Sequence, residues 1–169
     1  DWRDGFGHAD AIEGWPAIYD RAYLQANIAG REGFDWFYAS AADRSAQART
    51  PITDGAASKP WVFRYKDLRS WWANPHFNRP GGVESGTQTA WVPQSKPIRF
   101  TELGCPAIDR GTNQPNVFFD PKSSESFTPY FSRGWRDDTI QRAYLEATYL
   151  WWGEAANNPL SPVYGDRMV

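Results

Sequence analysis

Apolar positions along this chain gather in a few segments separated by long polar stretches, and the spacing inside each segment predicts the element it builds. Between residues 15 and 30, Ile18, Tyr19, Tyr23, Leu24 and Ile28 recur at three- and four-residue steps, as one face of a helix requires. Pro16 suits the first turn of that helix and Gly30 its stop. The cluster Phe34, Trp36, Phe37 and Tyr38 leads into a run of helix formers over 41–49, which Pro51 ends. Residues 53–59 are small and polar and read as a loop. Segment 61–73 fits two periods. Trp61-Val62-Phe63-Arg64-Tyr65 alternates like a strand, whereas Phe63, Asp67 and Trp71, with Leu68 and Trp72, can share a helix face. A helix over 61–73 is the expectation.

The second half is more broken. Residues 76–94, with Pro80-Gly81-Gly82 and Gly86, predict a long surface loop, and loops of that length in a compact domain are often functional. Lys96-Pro97 then introduces Ile98-Arg99-Phe100-Thr101-Glu102-Leu103-Gly104, the clearest strand of the chain, expected to be buried and to stop before Pro106. A second loop follows over 107–126. The last helix spans about 134–154. Asp137 and Asp138 suit the positive end of its dipole, and Ile140, Tyr144, Thr148 and Trp151, with Leu145 and Trp152, form its apolar face. Strand, long loop and amphipathic helix make a βα unit and place the chain in the α/β class. In β/α barrels the active site lies where strands end and loops begin, which is where this pattern puts Glu102. The competing role for Glu102 is a salt bridge to Arg99 or Arg110.

Composition and charge then narrow the chemistry. The chain has 169 residues, 41% of them hydrophobic, enough for the core of one domain. A net charge of -2 from 18 basic and 20 acidic residues argues against nucleic acid or an anionic membrane as partner. No apolar run approaches the roughly 20 residues that span a bilayer, and Asp1-Trp2-Arg3-Asp4-Gly5 lacks the build of a signal peptide, so a soluble protein without membrane insertion is expected. The single cysteine, Cys105, excludes an internal disulfide, and with His8 and His76 isolated in the sequence neither a thiol nucleophile, a metal site nor a cofactor is expected. Arg79-Pro80-Gly81-Gly82 lacks the Lys-Ser/Thr of a phosphate loop. The unusual feature is aromatic: 10 Trp, 8 Tyr and 10 Phe coexist with a mean hydropathy of -0.67. Such residues suit mixed cores and surfaces that stack on sugar rings. Both ends are abrupt, and the chain reads as a piece of a larger domain.

Several motifs then point the same way. Phe100-Thr101-Glu102-Leu103-Gly104 resembles the seventh-strand motif of retaining TIM-barrel glycoside hydrolases, which carries the nucleophilic glutamate. The wider text includes Arg49-Thr50-Pro51-Ile52-Thr53-Asp54-Gly55, Tyr65-Lys66-Asp67-Leu68-Arg69, Asn78-Arg79-Pro80-Gly81-Gly82, Ala90-Trp91-Val92-Pro93-Gln94 and Gly111-Thr112-Asn113-Gln114-Pro115. With it, nearly the whole chain resembles the glycoside-hydrolase-like TIM-barrel domain in the tail-tip (baseplate hub) protein of gene transfer agents and related phage tails of alphaproteobacteria. The resemblance implies a helix- and loop-rich C-terminal segment of a (β/α)8 barrel, running from just after its sixth strand to just before its eighth. It also implies a place in the tail of a virion-like particle, other tail-tip proteins as partners, and a polysaccharide of the cell envelope as ligand or substrate. Glu102 would be the nucleophile, with Trp91, Asn78 and Arg79 lining the sugar site from the long loop. Retaining hydrolysis needs a second carboxyl about 5 to 5.5 Å away. In the resembled barrels that acid comes from the fourth strand, so this piece alone is expected to be inactive. Asp54, Asp67, Glu84, Asp109 and Asp120 read as solvated or capping groups rather than substitutes. A non-catalytic structural or glycan-binding module is the alternative.

Overall fold

The computed structural model describes residues 2–3 and 13–169; the isolated His8 lies outside them. Its elements are α1 (Arg21–Ala26), β1 (Trp36–Phe37), α2 (Ala41–Ala46), β2 (Thr50–Pro51), α3 (Leu68–Ala73) and α4 (Asp138–Gly153), with short 3-10 turns at Pro60–Phe63, Pro80–Gly82 and Gly111–Asn113. The chain forms two compact units, Asp1–Ile28 with Thr101–Gly153, and Ala29–Phe100 with Glu154–Val169.

The first unit is a helix pair. The Asp20 carboxylate accepts the N–H of Tyr23 at 3.0 Å, so α1 starts at Arg21 and not near Pro16. An aspartate in that place satisfies an otherwise orphaned helix N–H, which proline cannot do. The Asn27 amide donates back to the Tyr23 carbonyl at 2.7 Å and helps to end the helix. α4 matches its expected span with a later start, because Asp137 accepts the N–H of Ile140 at 3.0 Å and acts as the cap. Ile18, Tyr23 and Leu24 pack on Ile140 and Ala147, with Trp2, Trp15 and Ala143 around them. Each fully buried aliphatic or aromatic side chain of this kind contributes about 1.5–3 kcal/mol. Trp2 meets Tyr23 edge-on at 5.2 Å, and Asn113 ties Trp2 through its N–H at 2.6 Å and its carbonyl at 3.0 Å.

The second unit is built mostly from loops. β1 and β2 form one antiparallel ladder, Trp36 opposite Pro51 and Phe37 opposite Thr50. Two-residue strands carry too little alternation to be read from sequence, and Pro51 argued against one there. The expected helix over 41–49 stops at Gln47, whose φ of 56° lies in the left-handed region. The expected helix over 61–73 divides into the Pro60–Phe63 turn and α3, because buried Asp67 takes the N–H of Ser70 at 3.1 Å and starts a new helix. Its core is Trp72, 1% exposed, whose indole N–H donates to the Lys96 carbonyl at 2.8 Å. The final segment closes over the same region: Met168 is fully buried, its carbonyl accepts from the Ile98 N–H at 2.6 Å, and Ser161 Oγ donates to the Gln94 carbonyl at 2.6 Å.

The strand expected over 98–104 is not present. Those residues are extended or irregular, and among the described residues only the Ile98 N–H makes a backbone bond of ladder type. A strand exists only through a ladder with a paired neighbour, which alternation along one segment does not supply. Glu102 is accordingly exposed rather than buried at a strand end.

Candidate functional site

Four rings of the second unit converge. The loop 76–91 folds back through the Phe77–Gln88 bridge and the Ser85 N–H to the Asn78 carbonyl at 2.8 Å. That return brings His76 and Trp91 face to face, ring centroids 5.1 Å apart and planes 9° from parallel. Trp71, on α3, lies 4.6 Å from His76 and 5.0 Å from Trp91, and Trp61, on the 3-10 turn, lies 5.6 Å from His76. Polar atoms fix the rings: His76 Nε2 donates to the Trp71 carbonyl at 2.7 Å, and Trp91 Nε1 to the Asn74 carbonyl at 3.1 Å. A carbonyl only accepts, so Nε2 is the donor in that bond. Trp71 remains 45% exposed, while Trp61, His76 and Trp91 are half-buried, so the cluster opens chiefly the Trp71 ring to solvent. α3 thus divides its two tryptophans: Trp72 turns into the core and Trp71 turns outward.

Beside the rings lies a quartet of charges. The Arg79 guanidinium makes two parallel bonds to Asp54, at 3.1 and 2.7 Å, and a third to Glu84 at 2.8 Å. Lys59 pairs with the other oxygen of Glu84, gives its backbone N–H to Asp54 at 3.0 Å, and places its ammonium 3.9 Å from the centre of the Phe77 ring. The fork from Arg79 holds the Asp54 carboxyl below its usual range, and the same pairing raises Arg79. Arg79 is therefore committed to protein carboxylates. The Asn78 side chain is exposed and makes no hydrogen bond among the described residues.

Glu102 belongs to the other unit. Among the described residues no hydrogen bond or ion pair holds its carboxylate; Arg110 pairs instead with Asp109 at 2.7 Å. Burial pushes Asp109 upward, but the N–H groups of Arg133 and Trp135, Ser132 Oγ and Arg110 outweigh it and hold the carboxyl below its ordinary value. Asp109 is a fixed anion closing a loop, Asp67 caps α3, and Asp120 caps the turn at Lys122. Cys105 is buried, and burial with the nearby Asp137 charge pushes its thiol up to about 12, so it is inert at neutral pH. No group of three or more His, Cys, Asp or Glu among the described residues is arranged to hold a metal ion.

The family model described as the GTA TIM-barrel-like domain matches residues 1–169. The chain belongs to that family. Membership marks a protein related to gene transfer agents with a TIM-barrel-like domain, in agreement with the resemblance carried by its motifs. No curated protein and no solved structure is significantly similar to this GTA TIM-barrel-like chain. Its described residues are helix- and loop-rich with only two short strands, and none of its helices is long and apolar enough to cross a membrane.

The sequence offered Trp91 as a candidate, whereas His76 stands isolated in it and is brought to the cluster only by the fold. The contacts join positions 61, 71, 76 and 91, which share no helical or strand period. The density of tryptophan in that stretch was the available signal.

Proposed function

We propose that this chain is part of the tail tip of a gene-transfer-agent particle and engages a polysaccharide of the cell envelope. The reading is supported chiefly by the cluster of Trp61, Trp71, His76 and Trp91, in which Trp71 is exposed and the stacked rings of His76 and Trp91 are held by hydrogen bonds to backbone carbonyls. Pyranose rings present flat C–H faces ringed by hydroxyls, which match a polarisable π-face with polar atoms at its border. Asn78, exposed and unengaged, supplies both a donor and an acceptor for hydroxyls beside that face. The test is cosedimentation of the full chain with purified peptidoglycan sacculi and with soluble envelope polysaccharide. Trp91→Ala is expected to weaken binding roughly tenfold or more, as loss of a central aromatic anchor does. Wild-type affinity in that variant would sink the reading.

A hydrolytic role is the second reading, favoured by the carboxylate of Glu102 in the Thr-Glu-Leu-Gly motif, which is exposed and without an ion pair among the described residues. In that case Glu102 is the nucleophile of the complete barrel, and the acid comes from outside this chain. The chain alone gives no turnover, and in the complete barrel Glu102→Gln abolishes it. Hydrolysis at an unchanged rate in that variant removes Glu102 from the reaction.

A further inference from the structure

We infer that Arg79 is the positioning residue of the aromatic platform: its fork onto Asp54, together with its bond to Glu84, holds the loop bearing His76 and Trp91 against the segment bearing Trp61. The inference rests on the glycan reading for what the platform does, but not for how the platform is held.

The argument starts from where the charges sit in sequence. Asp54 and Lys59 lie just before the 3-10 turn Pro60–Phe63, and Arg79 and Glu84 lie inside the loop that His76 and Trp91 flank. All four are drawn together by Arg79 to Asp54 at 2.7 Å, Arg79 to Glu84 at 2.8 Å, and the Lys59–Glu84 pair. Each ion pair therefore joins the two segments whose rings meet, or braces the loop upon itself. The same cations also cover neighbouring rings: Arg79 lies 5.4 Å from the centre of Phe63 and Lys59 lies over Phe77. Phe77 is the residue after His76, and Phe63 shares its turn with Trp61. Locking the carboxylates thus fixes both sides of the Trp61–His76 contact.

Two further observations separate this role from direct sugar binding. Both terminal nitrogens of Arg79 are engaged with carboxylates, and its side chain is only 13% exposed. Moreover, the loop it braces runs through Gly81 and Gly82 with φ of 62° and 82°, and contains no helix or strand beyond one 3-10 turn. A segment of that kind has little rigidity of its own, so a bidentate clamp of fixed geometry is what can hold an indole plane parallel to an imidazole. Lysine, a point charge on a flexible stem, cannot reproduce the fork.

The test uses the full chain with Arg79→Ala, Arg79→Lys and Trp91→Ala. Near-ultraviolet circular dichroism reads the mutual orientation of the indoles, far-ultraviolet dichroism reads the fold, and cosedimentation with purified peptidoglycan sacculi and soluble envelope polysaccharide reads binding. Arg79→Ala is expected to lose the near-ultraviolet signal of the platform with the far-ultraviolet spectrum retained, and to bind roughly tenfold more weakly. Added guanidinium ion restores both the signal and the affinity, and Arg79→Lys restores only part of either. If Arg79→Ala fails to fold, Asp54→Asn, which removes the fork but leaves the Arg79–Glu84 pair, is expected to lose the near-ultraviolet signal and to bind more weakly in the same way, with no rescue by guanidinium. A wild-type near-ultraviolet spectrum in either folded variant, or no response of folded Arg79→Ala to guanidinium, overturns the positioning role. If Trp91→Ala binds like wild type while Arg79→Ala loses its signal and regains it with guanidinium, the positioning role stands and the glycan reading alone falls.

Discussion

The two units of this chain are held by different forces. In the first, α1 and α4 bury Ile18, Tyr23, Leu24, Ile140 and Ala147 against each other, and polar groups serve mainly to cap and tether. In the second, regular structure is confined to short helices and a two-residue ladder, and order comes from Trp72, from side chains bonded to backbone carbonyls, and from the Asp54–Arg79–Glu84–Lys59 quartet. Apolar packing is non-directional and tolerates small shifts, whereas forked ion pairs and ring-to-carbonyl bonds fix orientation. The helix pair is therefore ordered by packing, and the loop-built unit, ordered by directional bonds, carries the oriented ring surface.

Substitutions can separate these two modes. The largest effects are expected from the core of each: Trp72→Ala should cost about 3–5 kcal/mol and Ile140→Ala about 2–5 kcal/mol in denaturant unfolding. Hydrogen exchange resolved by segment should show each loss concentrated in the unit that holds the residue, and equal loss in both would break the distinction. Next comes Gly33→Ala. Gly33 has a φ of 85°, and an added Cβ would meet the Tyr65 ring, so a destabilisation of about 1–2 kcal/mol is expected, read as a lowered unfolding midpoint. Retained stability would mean that this turn does not constrain the second unit.

Asp137→Ala should cost about 1 kcal/mol through loss of the α4 cap. It also frees Tyr19, whose hydroxyl donates to Asp137 at 2.7 Å; that bond first, then burial, pushes the phenol up to about 12. Spectrophotometric titration should find the Tyr19 ionisation returning toward 10 in the variant. The smallest effect is one of pH. Asp54 is depressed in the folded chain, so its contribution is present above the ordinary aspartate value of 3.8 and is lost as pH falls below it. Platform dichroism should therefore fade in acid before the helix signal of α4 does. Simultaneous loss would indicate that the ion quartet does not hold the platform.

Legibility followed the range of the interactions. The long helix could be read because its face repeats at a local period, and the cap at Asp137 shifted only its start. The helix over 61–73 was divided by Asp67, a local competitor for the same N–H groups that periodicity ignores. The strand over 98–104 was read from alternation and β-forming residues, but a strand also needs a ladder, and the structure assigns none over those residues. Arg79 was legible as part of a motif, but its role was not: Asp54 lies 25 positions away, and nothing in either residue's neighbourhood states that they meet.

By itself the sequence determined the family, the position of the long amphipathic helix, the presence of a single cysteine, and the motif that holds Glu102, all of which rest on residue identity or on periods of a few positions. Tertiary structure alone decided that His76 stands among tryptophans, that Trp72 is core while Trp71 is surface, and that Arg79 grips carboxylates. These are contacts between residues distant in the chain, and their geometry is set by how loops close rather than by any local preference.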